Sequence, residues 1–313
     1  MTSTTATATA TTGAANGATA GAVVLREVGP RDGLQSEAPV EIEQRVRLIG
    51  ALIAAGVTEI EAVSFVSPKA VPAMAGAADV LAAVRADASG VRLWALVPNL
   101  KGAELALAAG IDALSVTVSA SEAYSQKNVH MSVEESIGAA LGICEIAGAT
   151  PVDVVISFCF GSPYEGEMDP AALAAVGRRI LDGGATSLTY ADTTGTGTPR
   201  RVADLLEHTG SDIGLHLHET RGTGLVNAYA AYLGGVRRFD SSVGGLGGSP
   251  FAAAAAGNVA TEDLVHLFDD LGVETGIDLE RLLDASALVA QIVGHAVPSR
   301  VAAAGPRTRL SPA

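Results

Sequence analysis

The stretch Ile213-Gly-Leu-His-Leu-His-Glu219 holds the sequence's most concentrated chemistry, with His216 and His218 two residues apart. On a β-strand, side chains alternate with period two, so both imidazoles point to one face. Two adjacent imidazoles make half of a metal site. A bare His-x-His is equally at home as a pair of ordinary polar residues ending a strand. Lysine usage is a second signal. The chain has seventeen arginines and three lysines, Lys69, Lys101 and Lys127. Each lysine follows shortly after the end of a predicted strand. They read either as solvated loop charges or as a cationic patch for an anionic ligand handle. The two cysteines, Cys144 and Cys159, are too few for a disulfide framework and suit a reducing compartment.

The elements that must position these residues follow from periodicity. Apolar strand-like runs fall at 23–28, 59–64, 92–97, 113–118, 152–158, 187–191, 214–218 and 237–241. Helical patterns between them include 41–55, 73–85, 100–109, 133–147, 171–183, 199–208 and 224–233. Alternating strand and helix implies a parallel sheet. Eight such units predict a closed (β/α)₈ TIM barrel rather than an open doubly wound sheet. No Gly-x-Gly-x-x-Gly follows the first strand, which weakens the dinucleotide-binding alternative. In a TIM barrel the chemistry sits at the C-terminal strand ends. Arg31, Asp32, Glu61, Asn99, Lys101, Asp192, both histidines and the glycine-rich loop 243–250 all fall there.

A net charge of −14 argues against nucleic acid or an anionic membrane as partner, and no apolar run reaches membrane-span length. A cytoplasmic protein is expected. Residues 1–21, Thr/Ala-rich and without charge, read as a disordered tail; 22–300 read as the barrel and 301–313 as a flexible C-terminal tail.

At Glu27-Val-Gly-Pro-Arg-Asp-Gly-Leu-Gln35 the sequence resembles the 3-hydroxy-3-methylglutaryl-CoA lyase family. The likeness continues through Ser64-Phe-Val-Ser-Pro-Lys69, Pro98-Asn-Leu-Lys-Gly102, Gly161-Ser-Pro-Tyr-Glu-Gly166 and Asp192-Thr-Thr-Gly-Thr-Gly-Thr-Pro199. It runs on through His216-Leu-His218, Asp240-Ser-Ser-Val-Gly-Gly-Leu-Gly-Gly-Ser-Pro250 and Gly257-Asn-Val-Ala-Thr-Glu-Asp-Leu264. The resemblance implies a metal-dependent TIM barrel, with C-terminal helices packing near its active face and a homodimer as its assembly. It also implies that Asp32, His216, His218 and Asn258 bind one divalent cation, Mg²⁺ or Mn²⁺. One carboxylate, two imidazoles and an amide oxygen would suit either ion and leave positions open for substrate.

The implied reaction is retro-Claisen cleavage of a 3-hydroxyacyl-CoA, with CoA entering as part of the substrate and acetyl-CoA and a keto acid leaving. Arg31 would hydrogen-bond the thioester oxygen. Glu61 and Asp192 are candidates for proton relay or for orienting Arg31, and Glu262 for support near Asn258. The three lysines would grip the CoA phosphates.

The sequence departs from the family at Gly247-Gly-Ser-Pro250, where the lyases carry Gly-Gly-Cys-Pro. That cysteine is the family's proton donor to the departing carbanion. A thiol titrates near ~8.5 and a serine hydroxyl is a far weaker acid, so Ser249 as the catalytic donor is the weakest expectation. Glu219 and Arg221 stand where the family has Asp and Tyr, and Arg221 would add a cation at the rim. Two other readings remain at this point: a condensing enzyme that forms the same bond, and a non-catalytic acyl-CoA-binding protein.

Overall fold

The computed structural model describes residues 21–248 and 257–309. Eight parallel strands close into a barrel in sequence order, each hydrogen-bonded to the next and the last to the first. They are β1 Val24–Glu27, β2 Glu59–Ser64, β3 Arg92–Leu96, β4 Ala113–Ser119, β5 Val152–Ser157, β6 Ser187–Ala191, β7 Gly214–His216 and β8 Arg238–Ser241. Around them lie α1 Ile42–Ala54, α2 Ala77–Val84, α3 Leu100–Ala108, α4 Glu122–Val129, α5 Val133–Ala147, α6 Pro170–Asp182, α7 Pro199–Thr209 and α8 Gly224–Leu233. The chain finishes with α9 Thr261–Asp270, α10 Leu279–Val293 and α11 Arg300–Ala304. No helix among the described residues is long and apolar enough to cross a membrane.

Strand alternation sorts the side chains into two sets. Leu25, Ile60, Leu93, Leu114, Val154, Leu188, Leu215 and Phe239 point outward and are at most 3 % exposed beneath the helices. They form the core. The inward set begins one residue later, and in the middle of the barrel it is charged rather than branched and apolar. Arg26 lies there against Asp240 and Asp153, and Ser187 and Thr189 donate to Asp153.

The helix expected over 73–85 starts later. Gly76, at φ +73°, ends a short turn Pro72–Met74, and α2 begins after it. A further helix, α4, fills the β4–α5 connection, capped by Ser121, whose hydroxyl accepts from the Tyr124 amide. The segment from 301, expected as a loose tail, opens instead inside α11. Ser299 and the Val301 amide both donate to Asp263, which fastens that helix to α9. Of the tail expected at 1–21, all but Gly21 lies outside the described residues, as do 310–313.

Two buried carboxylates fix the loop after β8. Glu27, at the end of β1, accepts from the Gly29 and Val243 amides and from Thr261 Oγ1 at 2.5 Å. Glu262, in the first turn of α9, accepts from the Gly244 amide at 2.8 and 3.0 Å. Val289 of α10 and Val297 beyond it close over Gly244, so the C-terminal segment does pack at this end of the barrel. Burial raises Glu27 to about 7 and Glu262 to about 8, against the pull of the amides. A carboxyl raised in the fold contributes stability that is complete below its unfolded value and lost as pH climbs through the folded one. The loss therefore falls between about pH 4.5 and about pH 8. Glu262→Gln cannot ionise, so the drop in Tm from about pH 5.5 to about pH 8.5 should be smaller than in the wild type by several degrees. Equal drops in a thermal-melt series would contradict this.

Candidate active site

The chain leaves β1 through a π-type turn over Gly29–Gly33, in which the Val28 carbonyl accepts from the amides of Arg31, Asp32 and Gly33. Pro30 opens the turn, where a missing N–H costs nothing. A Cβ on Gly29 would meet Glu27 Oε1 at 2.6 Å and Val243 at 2.9 Å, so only glycine fits there. The turn sets Arg31 and Asp32 on the rim. The Arg31 guanidinium lies on Glu61 Oε2 through Nε and Nη2, and its Nη1 donates to Asp32 Oδ1 at 2.6 Å. Glu61 is 1 % exposed. Of the two roles expected for it, holding Arg31 is the one its contacts fit.

Strand β7 is shorter than predicted and ends at His216. His218 lies beyond it, kept in line by a bridge to Asn258. The imidazoles still converge, with Nε2 atoms 3.2 Å apart. One proton or one cation is all that gap can hold. His216 Nδ1 faces Asp240 Oδ2 at 3.1 Å. Burial works against charge on His216, but the hydrogen bond and charge of Asp240 outweigh it and raise the imidazole's pKa.

Asn258 joins the two halves of the site. Its Nδ2 donates to Asp32 Oδ2 at 2.8 Å and to the Leu246 carbonyl at 3.0 Å. Those two acceptors fix the amide's orientation and leave Oδ1 buried without a hydrogen-bond partner. An orphaned buried carbonyl oxygen is costly unless something else satisfies it. Gly247, at φ +104°, passes so close that a Cβ would meet Asn258 Nδ2 at 2.5 Å and Asp32 Oδ2 at 3.2 Å. Burial raises the Asp32 pKa, yet Arg31, His216 and the Asn258 hydrogen bond more than reverse this and hold it below the usual value. Among the described residues no three His, Cys, Asp or Glu side chains close round one point. The donors stand as two contacting pairs, His216 with His218 and Asp32 with Asn258, and two imidazoles, one carboxylate and one open amide oxygen are donor types that suit a hard or borderline divalent cation.

Arg31, Asp32, Glu61, His216 and His218 line a cavity of about 250 Å³, and Asn258, bonded to Asp32, is not in its wall. Across the mouth stand Thr117 and Ser119 of β4, Ser157 of β5, and Tyr124 and Asn128 of α4. Other expected residues lie elsewhere. Asp192 accepts from the Thr196 and Gly197 amides at 2.8 and 2.9 Å and is absent from the cavity wall. Burial pushes it up to about 6, and its hydrogen bonds go to its own loop rather than to Arg31. Arg221 donates to the Thr194 and Gly195 carbonyls, which tie it to that same loop. None of the three lysines lines the cavity. Lys69 is exposed, Lys101 pairs with Glu104 at 3.1 Å, and Lys127 sits over the Tyr164 ring at 5.6 Å. Cys159 donates to the Ile156 carbonyl, and burial pushes its thiol pKa up. Ser249 lies outside the described residues.

Sequence reasoning missed Asp240 and Arg26. The available signal was a charged residue at an inward position of β1 and of β8, where the barrel puts Asp240 in register with both Arg26 and His216.

The sequence profile of the HMGL-like family matches residues 22–289. The chain is 43% identical over 290 residues to a 3-hydroxy-3-isohexenylglutaryl-CoA/hydroxymethylglutaryl-CoA lyase of Pseudomonas aeruginosa, covering 90% of this chain and 96% of that protein. It is 42% identical over 304 residues to an (R)-citramalyl-CoA lyase of Chloroflexus aurantiacus, covering 91% and 95%. Among solved structures, an HMG-CoA lyase of Acinetobacter baumannii in complex with coenzyme A and 3-methylmalate superposes with a TM-score of 0.88 at 38% identity, covering 93% and 98%.

If the four residues share one cation, His216→Ala should abolish Mn²⁺ binding measured by electron spin resonance. Asn258→Ala should weaken it by at least about tenfold, since even supporting partners of metal ligands are worth ~10–100-fold. Wild-type Mn²⁺ affinity in both variants would remove the assignment.

Proposed function

The chain belongs to the HMGL-like family and is a carbon–carbon lyase, and we propose that it cleaves 3-hydroxy-3-methylglutaryl-CoA or a close relative into acetyl-CoA and a keto acid. The observation that carries this reading is the juxtaposition in one cavity of Arg31, braced by Glu61, with Asp32, His216 and His218, and behind Asp32 the Asn258 amide that donates to it. A site of that make-up can bind a chelating hydroxy-acid group and stabilise an enolate beside it.

Asp32, His216, His218 and Asn258 would hold a divalent cation, Mg²⁺ or Mn²⁺. The chemistry such a cation would supply is Lewis-acid polarisation of the substrate's 3-hydroxyl, which would ease its deprotonation. Asp32, with a fifth of its side chain open, takes that proton. The oxygen's electron pair becomes the carbonyl of the keto acid, the C2–C3 bond breaks, and its electrons pass to the thioester as an enolate. Arg31 donates to the thioester oxygen as this charge builds, and Glu61 keeps the guanidinium from turning away. A proton delivered to C2, for which Ser249 is the proposed donor, releases acetyl-CoA. The CoA phosphates are assigned to the sector of Lys69, Lys101 and Lys127.

The test is product identification by mass after incubating the chain with Mg²⁺ and HMG-CoA, and separately with acetyl-CoA and keto acids. Acetyl-CoA and acetoacetate are expected from the first mixture. Arg31→Ala should lower kcat by about 10²–10³-fold, the usual cost of losing a charge-stabilising donor. Failure of the wild type to cleave any 3-hydroxyacyl-CoA, with product from the second mixture alone, would replace the lyase reading with a condensing one.

A further inference from the structure

Arg26 lies on β1, inside the barrel and below the rim, 8 % exposed. Its guanidinium makes a two-point contact with Asp240 of β8, Nε to Oδ1 at 2.8 Å and Nη2 to Oδ2 at 2.9 Å. Nη2 also reaches Asp153 of β5 at 3.0 Å, Nη1 reaches Ser115 of β4 at 3.4 Å, and the group sits 5.0 Å over the Trp94 ring of β3. One side chain thus ties β1 to four other strands. The Asp240 oxygen that receives Nη2 is the one facing His216 Nδ1.

We propose that Arg26 is a positioning residue for His216. A planar fork on a carboxylate fixes both its place and its plane, which a point charge cannot do. With Asp240 so fixed, one oxygen stands where it accepts the Nδ1 proton of His216. That leaves the Nε2 lone pair aimed at His218 and the cavity. Partners of this kind set the tautomer and orientation of metal-binding histidines.

The pair also closes the barrel from below. Asp240 lines both the upper cavity and a second one of about 450 Å³ at the N-terminal end of the strands. Arg26 and Trp94 line only the lower one. Losing the guanidinium would open the space behind His216 to water, which competes for Asp240 and frees the imidazole to turn.

This rests on the proposed cation at His216, so the test reads Mn²⁺ binding by spin resonance rather than turnover. Arg26→Met and Asp240→Asn should each weaken Mn²⁺ about 10–100-fold, and the double variant should lose no more than either alone, because both act through one chain. Arg26→Lys keeps the charge without the fork and guards against a variant that does not fold; it should fall between wild type and Arg26→Met. Arg26→Met/Asp153→Asn relieves the unpaired acid and should recover Tm while leaving Mn²⁺ affinity low. Wild-type affinity in Arg26→Lys and in any folded Arg26→Met variant would overturn the proposal, as would additive losses in the double variant. If wild type itself binds no Mn²⁺ that depends on His216, the metal reading falls first and takes this role with it.

Discussion

A charge buried inside a barrel has to find its counter-charge there, because water cannot reach it. That constraint organises this molecule from the centre of the barrel to its rim. Arg26 is balanced by Asp240 and Asp153, and Arg31 by Glu61 and Asp32. Removing one partner from such a buried pair typically costs ~3–5 kcal/mol, so the geometry is stiffly held. Two guanidiniums facing four carboxylates leave two negative charges. A divalent cation held by Asp32 and the two histidines would offset both, and Asn258, which donates to Asp32, keeps one amide oxygen without a hydrogen-bond partner.

The rim itself depends on backbone amides finding acceptors. Glu27 and Glu262 hold the turn after β8, Asp192 holds the loop after β6, and Val28 holds the turn that carries Arg31 and Asp32. Each of these three loops, the one after β8 with help from Val289 and Val297, is fastened by a buried carbonyl or carboxylate. Such contacts are directional, so they set where a loop goes as well as how firmly it stays. Asn258 is the clearest example, since one amide touches both Asp32 and Leu246 while its backbone bridges to His218.

The strand–helix alternation made the barrel legible in the sequence, since period two and period 3.6 are written directly in the apolar pattern. The rim residues were legible because barrel chemistry gathers at strand ends and because several motifs resemble one family. What stayed hidden were contacts between residues far apart in the chain. Arg26 and Asp240 are separated by 214 positions, and only closure of β8 on β1 brings them together. The contacts of Asp192 and Arg221 were hidden for a related reason. Both stand near the rim in sequence, but each bonds to loop backbone that no periodicity reveals. The lysines illustrate the limit of composition, which can suggest a cationic sector without saying which ends reach a ligand.

The central claim is that four side chains from three separate parts of the chain hold one divalent cation beside Arg31. Diffraction from crystals of the chain grown with Mn²⁺, recorded at the manganese absorption edge, tests it most directly. The account predicts a single strong anomalous peak about 2.0–2.3 Å from His216 Nε2, His218 Nε2, an oxygen of Asp32 and Oδ1 of Asn258. A peak elsewhere, or one at the histidines with Asp32 and Asn258 still bonded only to each other, would contradict it.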